Sequence, residues 1–247
     1  MRVAVIGARG RMGRAVCEAV SAAADLELAA QIDVTDDSDG LDALAGCDVA
    51  VLFSVPDVAL EHTLACVRAG VHAVIGTTGW TPERLEAVRS ELESAAGVGV
   101  LVAPNFALGA VLLLRFAQIA APHYESVEIV ELHHPDKVDA PSGTARHTAE
   151  LIAAARAKAG SPPMPDATTT SLDGARGAEV DGVRVHAVRL RGLVAHEEVL
   201  FGGPGEILTL RHDSLDRSSF MPGVLLGVRT VSTRPGLTVG LEHYLEV

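Results

Sequence analysis

The opening stretch constrains the fold more than any other part of the chain. Val3-Ala4-Val5-Ile6-Gly7-Ala8-Arg9-Gly10-Arg11-Met12-Gly13-Arg14 reads as a short apolar strand, a glycine turn and the start of a helix. Gly7 permits the tight turn, Gly10 lets backbone approach a pyrophosphate, and Gly13 allows close helix–strand packing. The helix beyond turns its free N–H groups and positive end toward the same place. The Gly-x-x-Gly-x-x-Gly spacing varies the usual Gly-x-Gly-x-x-Gly, and alone it is a weak signal, because glycine turns also serve packing. Its position at the first strand–helix junction strengthens it. So does Asp33, which closes the second strand where a carboxylate binds the adenine ribose hydroxyls. The pattern therefore predicts a dinucleotide site built on Gly7, Gly10 and Gly13, with Asp33 at the ribose.

Cofactor choice stays open between NADH and NADPH. Asp33 repels a 2′-phosphate and favours NADH. Arg9 and Arg11 project from the same loop and either pair with that phosphate or are solvated loop charge. Together these features predict relaxed specificity.

Up to about residue 106, continuous apolar runs alternate with helical patterns. The strands read Val3–Gly7, Glu27–Asp33, Val49–Ser54, His72–Gly76 and Gly99–Ala103, and the helices Met12–Ala24, Asp57–Ala69 and Pro82–Ala96. Apolar runs without alternation are expected where helices cover both faces of a parallel sheet. The fold class is α/β, with a Rossmann-type doubly wound parallel sheet. Two later turns, Gly76-Thr77-Thr78-Gly79 and Ala103-Pro104-Asn105-Phe106, fall at the carboxyl ends of strands, where such sheets bind ligands. Each is equally readable as a nicotinamide wall or as plain connection.

Beyond Phe106 the pattern changes. A helix at Leu108–Ala121, a strand at Ser126–His133 and a helix from Ser142 to Lys158 precede loop-like Gly160–Pro165 and Thr168–Gly177. Strands at Val183–Arg191, Val194–Gly202 and Glu206–Asp213 follow, with short joins at Gly192-Leu193 and Gly203-Pro204-Gly205 that suit hairpins. This is a second α+β domain with a mixed or antiparallel sheet. Arg217–Val231 reads as helix and Leu237–Leu245 as a final strand; pattern alone does not say which domain this tail joins. The division adopted is a dinucleotide-binding domain of residues 1–106 and 217–247, and a substrate-binding and oligomerisation domain of residues 107–216.

A net charge of -12 disfavours nucleic acid and anionic membranes as partners. The apolar start is too short for a secretion signal, and no run approaches the roughly 20 residues of a bilayer span. Cys17, Cys47 and Cys66 form no Cys-x-x-Cys pair and no metal-ligand spacing. No metal is expected, and a reducing cytoplasm is the simplest home.

The most informative segment is Glu131-Leu132-His133-His134-Pro135-Asp136-Lys137-Val138-Asp139-Ala140-Pro141-Ser142-Gly143-Thr144-Ala145. His133 ends a strand, Pro135 forces a loop, and Ser142 is a natural N-cap for the next helix. Ala145, Ala149, Ile152 and Ala155 give that helix one buried stripe. Its first amides, near Gly143 and Thr144, then form an anion site fit for a carboxylate. Lys137 adds a point charge and a transferable proton, and His133 and His134 supply donors. Zinc fails on geometry, because adjacent strand residues point apart.

This string, Glu-x-His-His-x-x-Lys-x-Asp-Ala-Pro-Ser-Gly-Thr-Ala, resembles the signature of the dihydrodipicolinate reductase family. The resemblance runs along essentially the whole chain. It takes in Val5-Ile6-Gly7-x-x-Gly10-x-Met12-Gly13, Ile75 to Gly79, Ala103 to Phe106, Arg191-Gly192 through His196-Glu197, and Gly205-Glu206 to Arg211-His212. One departure is Leu52, where the family often has an Asp before the Phe. The short length is similar to the actinobacterial branch.

The resemblance implies an NADH- or NADPH-dependent reduction of 4-hydroxy-tetrahydrodipicolinate, a cyclic dicarboxylate, to tetrahydrodipicolinate in diaminopimelate and lysine synthesis. It implies His133 and Lys137 as the catalytic proton-transfer residues and His134, Gly143 and Thr144 as carboxylate binders, and the Ser142 amide is expected to bind substrate with them. Cofactor contacts would fall at residues 7–13, Asp33, Gly76, Thr77, Thr78, Ala103, Pro104, Asn105 and Phe106. It further implies a homotetramer built through the second sheet and a closing movement between domains. The rival readings are a different two-domain dehydrogenase, acting for instance on aspartate, and a dinucleotide-sensing module without turnover.

Overall fold

The protein is described by a computed structural model covering residues 1–33 and 38–245. The chain divides into two compact units, Met1–Leu108 with Arg217–Val247, and Gly109–Asp216. The first opens with β1 (Arg2–Ile6), α1 (Arg11–Ala22), β2 (Glu27–Ile32), β3 (Val49–Leu52), α2 (Pro56–Arg68), β4 (His72–Ile75), α3 (Pro82–Leu92) and β5 (Gly99–Val102). The second holds α4 (Leu108–Ala120), β6 (Ser126–His133), α5 (Gly143–Ala159), β7 (Ala178–Val180), β8 (Val183–Arg189), β9 (Ala195–Gly203) and β10 (Glu206–Ser214). The chain then returns to the first unit with α6 (Met221–Thr230) and β11 (Gly236–Val239).

In the first unit the sheet runs β11-β5-β4-β3-β1-β2 with every neighbouring pair parallel. β3 and β5 are buried at every position, which is why their sequences are apolar runs and not alternations. β2 lies on one side of β1 and β3 on the other, so the winding reverses at β1. Such a switch point opens a crevice at the carboxyl ends of the strands. Two expectations change at the tail. The predicted helix Arg217–Val231 is a 3-10 turn at Arg217–Phe220 followed by α6, because Pro222 removes a donor and its ring forbids an α-helix running through from residue 218. The final strand stops at Val239, where Gly240 at φ +104° turns the chain into a 3-10 turn at Leu241–Tyr244.

The second unit carries a mixed sheet ordered β10-β9-β6-β8-β7. The hairpin expected at Gly192-Leu193 does not form. β6 lies between β8 and β9, parallel to one and antiparallel to the other. β6 buries Val127, Ile129 and Glu131 almost completely, and in the centre its backbone finds partners on both sides. The link from β8 to β9 instead steps over the end of β6, where the Leu190 N–H donates to His133 O at 3.1 Å. The turn at Pro204-Gly205 does close a hairpin, with Gly203 opposite Glu206. One face of the sheet is covered by Leu113 and Ala117 of α4 and Ala145, Ala149 and Ile152 of α5, packed on Ile129, Val185, Val199 and Phe201. Ala155 is only partly buried, at the end of that stripe.

Candidate active site

In the first unit, the dinucleotide residues predicted from the sequence lie just beyond the carboxyl ends of strands, except Arg11, Met12 and Gly13, which form the first turn of α1. Gly7 follows β1, Asp33 follows β2, Gly76 and Thr77 follow β4, and Ala103 to Phe106 follow β5. The three glycines of the turn divide by role. A Cβ on Gly7, at φ +84°, would lie 2.6 Å from Phe53 O, and one on Gly13 would lie 2.0 Å from Gly7 O. Both are therefore demanded by packing. Gly10 has ordinary backbone angles, and a Cβ there would meet only Gly7 O, at 3.1 Å. Gly10 is exposed and is the N-cap of α1, and no side chain of the described residues caps that helix. Its first amides thus face an open cradle, so the residues present fit a pyrophosphate.

Asp33 has a structural task as well, since its Oδ2 accepts from the Arg9 N–H at 2.7 Å and shapes the turn. Arg11 is the first helical residue and is exposed. The far wall is ordered by Thr77, whose hydroxyl lies 3.2 Å from Ser54 O, and by Trp80, whose indole donates to Thr77 O at 2.9 Å. Phe53 and Phe106 pack with ring centroids 5.8 Å apart. Phe53 also explains Gly76, where a Cβ would fall 2.1 Å from the ring.

The second site is the loop joining β6 to α5. His133 is 14% exposed and its Nδ1 lies 2.6 Å from Glu131 Oε2. Glu131 is fully buried. Burial alone would lift its pKa, but hydrogen bonds from His133, the Arg189 guanidinium and the Ser142 N–H hold it down at about 2. Arg189 grips both carboxylate oxygens, at 2.7 and 2.8 Å, and donates to Asp139 O at 2.7 Å. Lys137 Nζ sits 2.7 Å from Asp139 Oδ1, while Asp139 Oδ2 accepts from the Gly143 N–H at 3.2 Å. One carboxylate therefore joins the lysine to the first amide of α5.

The expected direct role of Ser142 is corrected by its surroundings. It is 2% exposed, its N–H is bonded to Glu131, and its Oγ caps α5 by accepting from the Ala145 N–H at 3.1 Å. Ser142 builds the helix start and is not itself placed to touch a ligand. His134 and Gly143 are exposed, and Thr144 is half-buried. Among the described residues, no group of three or more His, Cys, Asp or Glu side chains is placed to hold a metal ion.

Residues 1–106 match the family described as dihydrodipicolinate reductase, N-terminus, and residues 109–245 match its C-terminus. The chain belongs to the dihydrodipicolinate reductase family. The 4-hydroxy-tetrahydrodipicolinate reductase of Streptomyces coelicolor is 62% identical over 249 residues, which is 100% of this chain and 98% of that one. Its counterpart from Streptomyces griseus is 61% identical over 247 residues, again 100% and 98% of the two chains. The solved dihydrodipicolinate reductase of Paenisporosarcina sp. TG-14, with dipicolinate bound, aligns at a TM-score of 0.86 and 38% identity over 99% of both chains. Membership makes this chain an oxidoreductase that uses NAD(P)H.

Within this family member, sequence reasoning missed two participants. Arg189 reaches Glu131 from 58 positions away on another strand, and nothing local to Arg189 signals that contact. Glu197 lies opposite Glu131 on β9, on the helix-covered face. Burial pushes its pKa up to about 7, with the Thr148 hydroxyl pulling the other way and the Glu131 charge adding to the rise. Thr148 Oγ1 lies 3.0 Å from Thr144 O and 2.5 Å from Glu197 Oε1. One hydroxyl proton cannot serve both acceptors. With Glu197 protonated, the acid donates to Thr148 and Thr148 donates to Thr144 O.

Proposed function

We propose that this chain reduces 4-hydroxy-tetrahydrodipicolinate to tetrahydrodipicolinate, using NADH or NADPH, in the route to diaminopimelate and lysine. The observation that carries the reading is the β6–α5 loop. It gathers a histidine on a buried carboxylate, a lysine and a helix-start amide, the last two converging on one carboxylate. In the free protein that carboxylate is Asp139; with substrate it would be one of the ring carboxylates.

Lys137 and the amides of Gly143 and Thr144 hold that group, and the exposed His134 reaches the substrate as a further donor. Ser142 fixes the helix start. This cationic grip orients the ring and draws electron density from it, which favours reduction. Lys137 gives a proton to the ring hydroxyl, which leaves as water, and the neighbouring ring carbon returns a proton to the lysine as its C–H pair forms the double bond of a conjugated electrophile. His133 then protonates the carbon left electron-rich after reduction. Residues 7–13, Asp33, Gly76, Thr77, Thr78 and Ala103 to Phe106 hold the dinucleotide, whose reduced nicotinamide supplies the hydride.

The assembly we propose is a homotetramer through the sheet face not covered by α4 and α5. Ile207 stands 75% exposed there beside half-buried Val130, Leu132, Val188 and Leu200. The cytoplasm suits three free thiols, and no helix among the described residues is long and apolar enough to cross a membrane.

The test follows absorbance at the nicotinamide band as the protein oxidises NADH and then NADPH. Substrate is made in place from pyruvate and aspartate semialdehyde by a separate synthase. Consumption that requires the synthase is expected, and its absence with cofactor binding intact would overturn the reading. Lys137→Ala should lose about 10²- to 10⁴-fold in turnover while binding NADH nearly as before.

A further inference from the structure

We propose that Glu131 and Arg189 form a positioning pair that fixes which nitrogen of His133 exchanges protons with substrate. The proposal rests on the assignment of His133 as a proton-transfer residue. It begins with the carboxylate, which is fully buried and accepts from four donors. Arg189 supplies two, the Ser142 N–H supplies one to Oε1, and His133 Nδ1 faces Oε2 at 2.6 Å. A carboxylate held by a guanidinium and an amide is ionised and only accepts. The proton between Glu131 and His133 therefore belongs to Nδ1, whichever charge state the ring holds. Nε2 is left as the nitrogen that gives and takes protons. When a substrate carbon is protonated, the Nε2–H bond breaks, its electron pair stays on Nε2, and the new C–H bond forms. The Nδ1–H remains on Glu131 throughout.

Arg189 has two tasks in this arrangement. Its fork sets the plane of the Glu131 carboxylate and so the direction from which Nδ1 is held. The same guanidinium donates to Asp139 O, which ties down the loop carrying Lys137. A single side chain from β8 thus registers both proton-transfer residues. The plainer alternative is a buried ion pair that only ties β6 to β8. Such a pair would act equally with or without an imidazole at position 133.

Two measurements decide between these. In ¹⁵N-histidine-labelled protein, long-range ¹H–¹⁵N spectra read the tautomer of neutral His133, assigned by the signals lost in His133→Gln. We expect the proton on Nδ1 in the wild type and a mixture of tautomers in Glu131→Gln. A wild-type proton on Nε2 overturns the proposal, whatever the activity. The second is a kinetic cycle. Glu131→Gln should lower kcat about 10- to 100-fold, with KM for both substrates changed less than about threefold.

On the His133→Gln background the same change should cost less than about twofold. Equal losses on both backgrounds would mean structural support alone and overturn the proposal. If Glu131→Gln does not fold, Arg189→Lys keeps the charge, loses the fork and runs through the same cycle. Wild-type turnover in His133→Gln would sink the functional assignment of His133, and leaves the tautomer measurement as a separate result.

Discussion

Glu131 and Glu197 face each other across β6 and β9, yet sit at opposite ends of the carboxylate range, near 2 and near 7. Glu131 has Arg189 and an amide to carry its charge, while Glu197 has a hydroxyl and a charged neighbour. The difference becomes a stability prediction. An exposed glutamate titrates at 4.5, so as pH rises the unfolded chain releases the Glu197 proton before the folded one does. Below 4.5 both states are protonated and the residue costs nothing; through 7 the folded state loses about 3 kcal/mol relative to the unfolded. Glu197→Gln removes that loss. Urea unfolding should show the variant more stable than the wild type at pH 8 and close to it at pH 4.5, and a pH-independent difference would refute the assignment.

At the neighbouring Asp139, Asn should free Lys137 and the Gly143 amide from an internal anion. Calorimetry with dipicolinate as probe should then find binding about three- to tenfold tighter. Weaker binding would mean that Asp139 positions the lysine. His133, Lys137 and Ser142 to Thr144 are legible as a candidate cluster because they fall within one short stretch punctuated by Pro135 and Pro141. Arg189 and Glu197 are not, because only the strand order brings them to Glu131.

At the scale of elements, the glycine turn separates fold from ligand. Gly13→Ala places a Cβ 2.0 Å from a backbone carbonyl, so α1 must shift off β1, and both melting temperature and NADH affinity should fall. Gly10→Ala meets only one carbonyl at 3.1 Å, so its melting temperature should stay near wild type while NADH affinity drops. NADH fluorescence titrations beside thermal melts check the pair, and equal melting losses would deny the distinction. The first sheet was readable because strands buried on both faces leave uninterrupted apolar runs. The second was misread at one join, because Gly192-Leu193 marks a turn and says nothing about which strand fills the space beside it. The short β7 was missed although Asp181-Gly182 signals it. Both residues have positive φ, 48° and 85°, as a two-residue hairpin of the primed type requires.

The whole molecule carries a net charge of -12, so copies of it repel, and association needs an apolar face to offset that repulsion. The uncovered side of the second sheet is the proposed face. Ile207 lies opposite Gly202 on β9, which lies opposite Ser126 on β6, so it shares the side of Glu128 and Val130 and not the side packed under the helices. Burying one isoleucine between copies contributes about 1.5–3 kcal/mol. Replacing it with glutamate removes that gain and adds like charge to an already acidic chain. Ile207→Glu should therefore elute from size exclusion with light scattering near 25.6 kDa or as a dimer, where the proposed wild-type tetramer should run at four times that mass. Circular dichroism should be unchanged, since a residue 75% exposed has little to lose within its own chain. A wild type at 25.6 kDa, or a variant that still runs as a tetramer, would remove this face from the assembly.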